Sequence, residues 1–222
     1  MYKFSDKGKP PIISDRLTIK NKFEHLFIKN TNNSVVYVLD NCSDETIGYF
    51  TKETFICTQL GNSECNNFIY KYVVDNYSDD DIVYICEDDY LYDTKNGSYD
   101  LTKVIYEGLE RSDYVSLMDH PDKYLDGWGN PYVQNGGENT KVILTKSVHW
   151  KFTNSTTMTF ACKVKTLKED FQILNDYNDS KVPRDFEMFL KLYSKGRKLI
   201  TPIPGLANHC GYFPATPFFS FI

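Results

Sequence analysis

Short apolar runs, rich in β-branched and aromatic residues, alternate with segments of helical spacing through the first half of the chain. Residues 35–39, 55–58, 82–86 and 114–118 read as strands. Residues 66–76, with Phe68, Ile69, Tyr72 and Val73 on one face, and residues 101–109 read as helices, and His25 falls in an earlier one. Such alternation predicts βαβ units and a mainly parallel central sheet flanked by helices, an α/β fold. The second half changes character. Residues 142–145 and 156–162 carry Thr and aromatic residues suited to a hairpin or a mixed edge of the sheet. Residues 186–195 read as a helix stopped by Gly196, and 199–202 as a last short strand. The 222 residues suit one domain, with a donor half over 1–95 and an acceptor half over 96–222 that ends in an arm from Gly205 onward.

Charge and cysteine content narrow the function. Lys and Arg total 25 against 30 Asp and Glu, a net charge of −5, which argues against a nucleic-acid partner because phosphate backbones need a basic surface. No apolar run reaches about 18 residues, so no transmembrane segment is expected. The opening Met1-Tyr2-Lys3-Phe4-Ser5-Asp6-Lys7 lacks a signal peptide's apolar core, so the expected location is cytoplasmic, the host's cytoplasm if the chain is viral. None of the six cysteines forms a C-x-x-C pair; Cys57 and Cys86 sit in apolar runs and are expected in the core, reduced.

Three strands end in acidic residues: Asp40, Glu87-Asp88-Asp89 and Asp119. In an open parallel sheet, ligands bind beyond the carboxyl ends of the strands. Asp and Asn also cap helices and turns, which suffices for Asp44. Three consecutive acids after a buried strand repel one another unless a cation shares them, and carboxylate oxygens suit Mg²⁺ or Mn²⁺, which also bridge phosphates.

These residues resemble the glycosyltransferases of the A-type, Rossmann-like fold, of the family 2 kind. Leu39-Asp40-Asn41-Cys42-Ser43-Asp44-Glu45-Thr46 matches the spacing of that family's D-D-x-S-x-D-x-T turn, and Glu87-Asp88-Asp89 resembles its D-x-D motif. The resemblance implies that Asp40 contacts the nucleobase, with Asn41 beside it and Asn62 in a segment near the donor. It implies that Asp89 binds the metal, with Glu87 near ribose or metal, Asp88 in the donor site, and His209 as a further metal ligand. Asp185, in Arg184-Asp185-Phe186-Glu187, takes the place of the catalytic base. The family's early P-x-Y-N turn is absent; Lys7-Gly8-Lys9-Pro10-Pro11 stands there instead, and Lys9 and Arg16 are candidates to hold the diphosphate or base. The implied activity is inverting transfer of a sugar from a nucleotide-diphosphate donor, commonly a uridine one, to a hydroxyl of a carbohydrate or other acceptor. The short chain looks like the compact glycosyltransferase domains of large DNA viruses and phages.

Other residues admit plainer readings. Residues 119–124, Asp-His-Pro-Asp-Lys-Tyr, suit either a turn or a cleft rim in contact with sugar. Trp128, between two glycines, suits a packing anchor or a sugar platform, and His149-Trp150 suits a packed pair. Asp79-Asp80-Asp81 precedes a strand and reads as a solvated turn at the far edge. Two rival functions stand. A metal-dependent nucleotidyltransferase has a similar sheet order but needs a Gly-rich basic phosphate loop. A non-catalytic carbohydrate-binding module would use the 17 Tyr and 15 Phe as sugar platforms, without metal or nucleotide.

Overall fold

The computed structural model describes residues 1–7, 15–29, 31–92, 99–127 and 129–210. Lys9, Trp128 and the arm beyond Cys210 therefore lie outside the described residues. The elements are β1 (Tyr2–Phe4), α1 (Arg16–Phe27), β2 (Tyr37–Asp40), α2 (Asp44–Gly48), β3 (Phe55–Thr58), α3 (Asn62–Asn76), β4 (Ile82–Glu87), β5 (Tyr90–Tyr92), α4 (Leu101–Leu109) and β6 (Tyr114–Val115). There follow β7 (Val142–Leu144), β8 (His149–Thr153), β9 (Phe160–Lys163), α5 (Val164–Asp176), α6 (Asp185–Ser194), β10 (Leu199–Ile203) and β11 (Ala207–His209).

Nine strands form one sheet in the order β3-β2-β1-β4-β9-β6-β10-β8-β7. Strands β3, β2, β1 and β4 are parallel, as are β6 and β10. β9 runs antiparallel to both neighbours, β4 and β6, and β8 and β7 add an antiparallel edge. The α/β class and the mainly parallel, mixed sheet follow the expectation. A separate ribbon pairs β5 with β11, setting His209 opposite Tyr90.

Both sheet faces are covered, so side chains of opposite parity enter two cores. On β2, Tyr37 and Leu39 join α1 and α4 residues such as Phe23, Phe27, Val104 and Ile105. Val38, between them, joins Ile69 and Val73 of α3, Leu167 of α5 and Phe189 of α6. Burial on both faces explains why the strands read as unbroken apolar runs rather than as alternating ones.

Three expectations need correction. Helix α5 was not foreseen: Val164, Leu167, Phe171 and Leu174 have helical spacing, but β9 runs straight into it with no turn residue and no side-chain cap at Lys163. Strand β8 was also missed, and Trp150 on it is fully buried, its indole N–H donating to Thr145 Oγ1 at 3.0 Å. Cys57 is exposed, because β3 is an edge strand. All six cysteines are free, as expected. Asp79 forms an exposed ion pair with Lys168 at the far edge, in keeping with a solvated turn.

Candidate active site

A cleft of about 430 Å³ opens at the carboxyl end of β4. Asn62, Glu87, Tyr90 and His209 line it from the first half and the ribbon. His120 to Lys123, Ser155 to Met158, and Val182, Pro183, Asp185 and Phe186 line it from the second half. A smaller cavity of about 260 Å³ lies at the opposite end of the strands, among Phe23, Phe27, Ile82 and Ile105, where Asp81 supplies the only carboxylate among the described residues that line it. The cleft at the carboxyl end is where the sheet topology places ligands.

The acidic turn after β4 divides its three side chains among different tasks. Glu87 lines the cleft and pairs with Lys3 Nζ at 3.3 Å. Lys3 is buried within β1, where its ammonium also donates to Asn66 Oδ1 at 3.0 Å, to the Asn62 carbonyl at 3.2 Å and to Asn62 Oδ1. Asp88 turns away from the cleft. It accepts from the Ser5 amide at 2.9 Å and pairs with Arg16 at 3.0 Å, and burial pushes its carboxyl up to about 7, with Asp89 adding to the effect. The donor-site role expected of Asp88 is therefore replaced by one of anchoring β4 to the β1–α1 segment, and Arg16 is drawn into that anchor. Asp89 pairs with His209 Nε2 at 3.0 Å, while the Cys210 amide holds the Asp89 carbonyl at 2.7 Å. Burial lowers the pKa of His209, but the hydrogen bond and charge of Asp89, with Glu87 and Asp185, outweigh it, so the net shift is upward.

Asp40 is saturated from within. Its Oδ1 accepts from the Leu60 amide at 2.8 Å and Thr58 Oγ1 at 2.9 Å; its Oδ2 accepts from Asn41 Nδ2 at 2.9 Å and the Gly61 amide at 3.1 Å. Burial raises its pKa, but these four donors outweigh it and hold the carboxyl below its usual range. A carboxylate has about four lone-pair sites, so none is left for a nucleobase. Asp40 holds the loop into α3, whose Gly61 sits at φ +124°, and the nucleobase contact expected of it is not supported. Asn41 is outside the cleft, its Oδ1 accepting from Lys7 at 3.0 Å, whereas Asn62 is inside it.

Asp185 opens α6 and accepts the Phe186 amide at 2.8 Å. Burial pushes its carboxyl up to about 6, Glu87 adding to the rise while the Phe186 amide and His120 oppose it. A carboxyl ionised just below neutral pH is suited to take a proton from a hydroxyl.

The segment after β6 is both a turn and a cleft wall. Residues Pro121–Lys123 form one 3₁₀ turn, and His120 Nδ1 lies 2.7 Å from Asp122 Oδ1. Lys123 is 1% exposed, its ammonium 3.4 Å from Asp122 and bonded to Ser155 Oγ. Below them Lys151 pairs with Asp119 at 2.9 Å, sits 4.0 Å over the Tyr124 ring and reaches Glu138 at 3.7 Å. Lys123 falls in the segment read as a turn or cleft rim, whereas Lys3, Lys151, Glu138 and Ser155 were not singled out from sequence. A charge inside a strand such as Tyr2-Lys3-Phe4 was the one local signal.

A divalent cation is implied by the family resemblance, and the residues pass a limited test. Among the described residues no group of three His, Cys, Asp or Glu side chains converges on one point. Glu87, an expected ligand, has its Oε1 engaged by Lys3 at 3.3 Å. Asp89 Oδ1, however, is buried without a hydrogen-bond partner, beside His209. One carboxylate and one imidazole suffice for Mg²⁺ or Mn²⁺ when phosphate oxygens and water complete the shell.

No family model and no curated protein matches the sequence. Among solved structures, the chain is similar to the 2-C-methyl-D-erythritol 4-phosphate cytidylyltransferase of Francisella tularensis, with a TM-score of 0.51, 13% identity, and coverage of 90% of this chain and 89% of that one. At that identity the likeness shows the fold, a Rossmann-like α/β sheet, and not the reaction. Among the described residues no helix is long and apolar enough to cross a membrane.

Proposed function

We propose that this chain is a metal-dependent glycosyltransferase that moves a sugar from a nucleotide-diphosphate donor to an acceptor hydroxyl with inversion. The observation that carries the reading is Asp185: a carboxyl poised near pH 6, lining a cleft with Glu87 and with His209, the partner of Asp89. In this reading Asp185 takes the proton of the acceptor hydroxyl as its oxygen bonds to the anomeric carbon. The bond from that carbon to the diphosphate oxygen breaks, and the nucleoside diphosphate leaves with the electron pair. Asp89 and His209 would hold Mn²⁺ or Mg²⁺, which supplies positive charge to the leaving diphosphate. Asn62, held by Lys3, would face the donor.

Nucleotidyl transfer is the second reading, favoured by the fold of the cytidylyltransferase neighbour. A triphosphate calls for several cations, and a phosphate nucleophile needs no base to activate it. Lys123 lines this cleft and is engaged by Asp122 and Ser155, while Lys9, the candidate for a phosphate, lies outside the described residues. What favours the sugar transfer is Asp185, a carboxyl placed to take the proton of a hydroxyl.

Thermal shift with Mn²⁺, against a panel of nucleoside triphosphates, nucleoside diphosphates and nucleotide sugars, tests the choice. Stabilisation by diphosphates and nucleotide sugars beyond Mn²⁺ alone is expected, and Asp89→Ala should abolish it. A preference for triphosphates would favour the nucleotidyltransferase.

A further inference from the structure

Hydroxyls in a binding cleft are ambiguous, since each can donate or accept. At Ser155 the ambiguity is removed by a neighbour. The Lys123 ammonium has hydrogens and no lone pair, so in its bond to Ser155 Oγ it donates and Ser155 accepts. The Ser155 proton must then point elsewhere, and among the described residues no acceptor takes it. Both residues are almost fully buried, and both line the cleft. Asp122, 3.4 Å from the Lys123 nitrogen and 2.7 Å from His120, supplies the opposite charge at this site and opposes the effect of burial, which on balance lowers the Lys123 pKa. Thr157 differs: its Oγ1 lies 2.6 Å from the Tyr90 hydroxyl, which can itself donate or accept, so that pair does not fix the direction of the Thr157 proton.

We propose that Lys123 is a positioning residue that fixes Ser155 as a hydrogen-bond donor into the cleft, and that Ser155 sets specificity for a ligand position bearing an acceptor oxygen. A sugar hydroxyl fits, because it accepts from Ser155 and donates its own hydrogen bond to an acceptor-only carboxylate such as Glu87 or Asp185. A deoxy position leaves a buried donor unpaired, and a protonated amino group can be accepted by the second lone pair of Ser155 only if the Ser155 proton turns to where, among the described residues, no acceptor lies. The inference rests on the glycosyl-transfer reading for the identity of the ligand as a sugar; the polarity of Ser155 does not depend on it.

The test uses the full chain with Mn²⁺ and uridine diphosphate. Methyl glycosides of glucose, galactose and mannose, with their single-position deoxy and amino derivatives, are compared by ligand-observed NMR competition. The wild type should disfavour the deoxy and amino forms at one ring position by roughly tenfold to a hundredfold, the penalty of an unpaired buried donor. Ser155→Ala should erase that discrimination. Lys123→Arg should keep it, since a guanidinium also only donates. Lys123→Met should weaken discrimination against the amino form, because Ser155 can then turn round and accept. That last change separates positioning from mere support of the fold, and Ser155→Ala keeps the test decisive if Lys123→Met does not fold. Absence of glycoside binding, equal binding of all derivatives, or unchanged discrimination in Ser155→Ala would overturn the inference. If glycosides show the pattern while no nucleotide binds, the transferase reading falls and this assignment stands; if nucleotides bind without the pattern, the reverse holds.

Discussion

Replacing Asp185 by Asn should make the protein more stable and nearly inactive at once. The folded carboxyl titrates at about 6 against an ordinary 3.8, so the fold disfavours its ionised form by about 3 kcal/mol at 1.36 kcal/mol per pH unit. The sign follows from linkage. Below the ordinary value both states carry the proton and there is no penalty; the penalty grows as pH rises from 3.8 and is complete above 6. Asn carries no charge and keeps an oxygen to accept the Phe186 amide, so it removes the penalty without losing that bond. Solvent at the half-buried site softens the gain to about 2 kcal/mol, worth about 4–8 °C in melting temperature for a chain of this size. At pH 5 about half of the gain seen at pH 8 should remain. Transfer should fall by about 10²–10⁴, the usual contribution of a general base, and wild-type kcat/KM should rise with pH through about 6. Thermal melts of both proteins at pH 5 and 8, beside initial rates, make the comparison. A variant that is less stable at pH 8, or equally stabilised at both pH values, refutes the account of a strained carboxylate; retained turnover refutes the base.

Two further outcomes concern the scaffold. Gly108→Ala should destabilise despite a gain of about 1 kcal/mol in helix propensity, because the new Cβ would lie 2.7 Å from Val115 Cγ2 and 3.0 Å from Trp150 Cη2, both fully buried. Overpacking of this kind costs about 1–3 kcal/mol, and a lower urea midpoint at unchanged slope would register it. Cys57 is the one exposed thiol of the six, while burial pushes Cys65 up to about 11 and Cys42 and Cys210 up to about 12. A thiol-reactive disulfide reagent at pH 8 should therefore find one fast group in the native protein and the other five only on unfolding; several fast groups would contradict the burial pattern.

The parts of the site that were legible are those written into single strands and helix starts. Ile82 to Cys86 announces a buried strand, so the acids after it had to stand at the sheet's carboxyl edge, and Asp185 announces itself by preceding an apolar helix face. Less legible was which of three adjacent carboxylates would face the cleft. Asp88 turns to Arg16, 72 positions earlier, and such a pairing leaves no local trace. The Lys123–Ser155 bond spans 32 positions and joins two irregular segments, where no periodicity exists to read. Asp40 shows the opposite difficulty: its place at the carboxyl end of a strand was correctly seen, but four local donors had already claimed its oxygens.

The reversed strand β9 carries a mechanical consequence. It hydrogen-bonds to β4 on one side and to β6 on the other, stitching the half that would hold the nucleotide to the half that would hold the acceptor across a continuous plate. Two lobes joined this way cannot swing apart as a jaw without tearing backbone bonds from the middle of the sheet. The sheet is then the rigid side of the cleft, and the irregular stretch between α5 and α6, which lines it with Val182 65% exposed, is the side free of such ladder bonds.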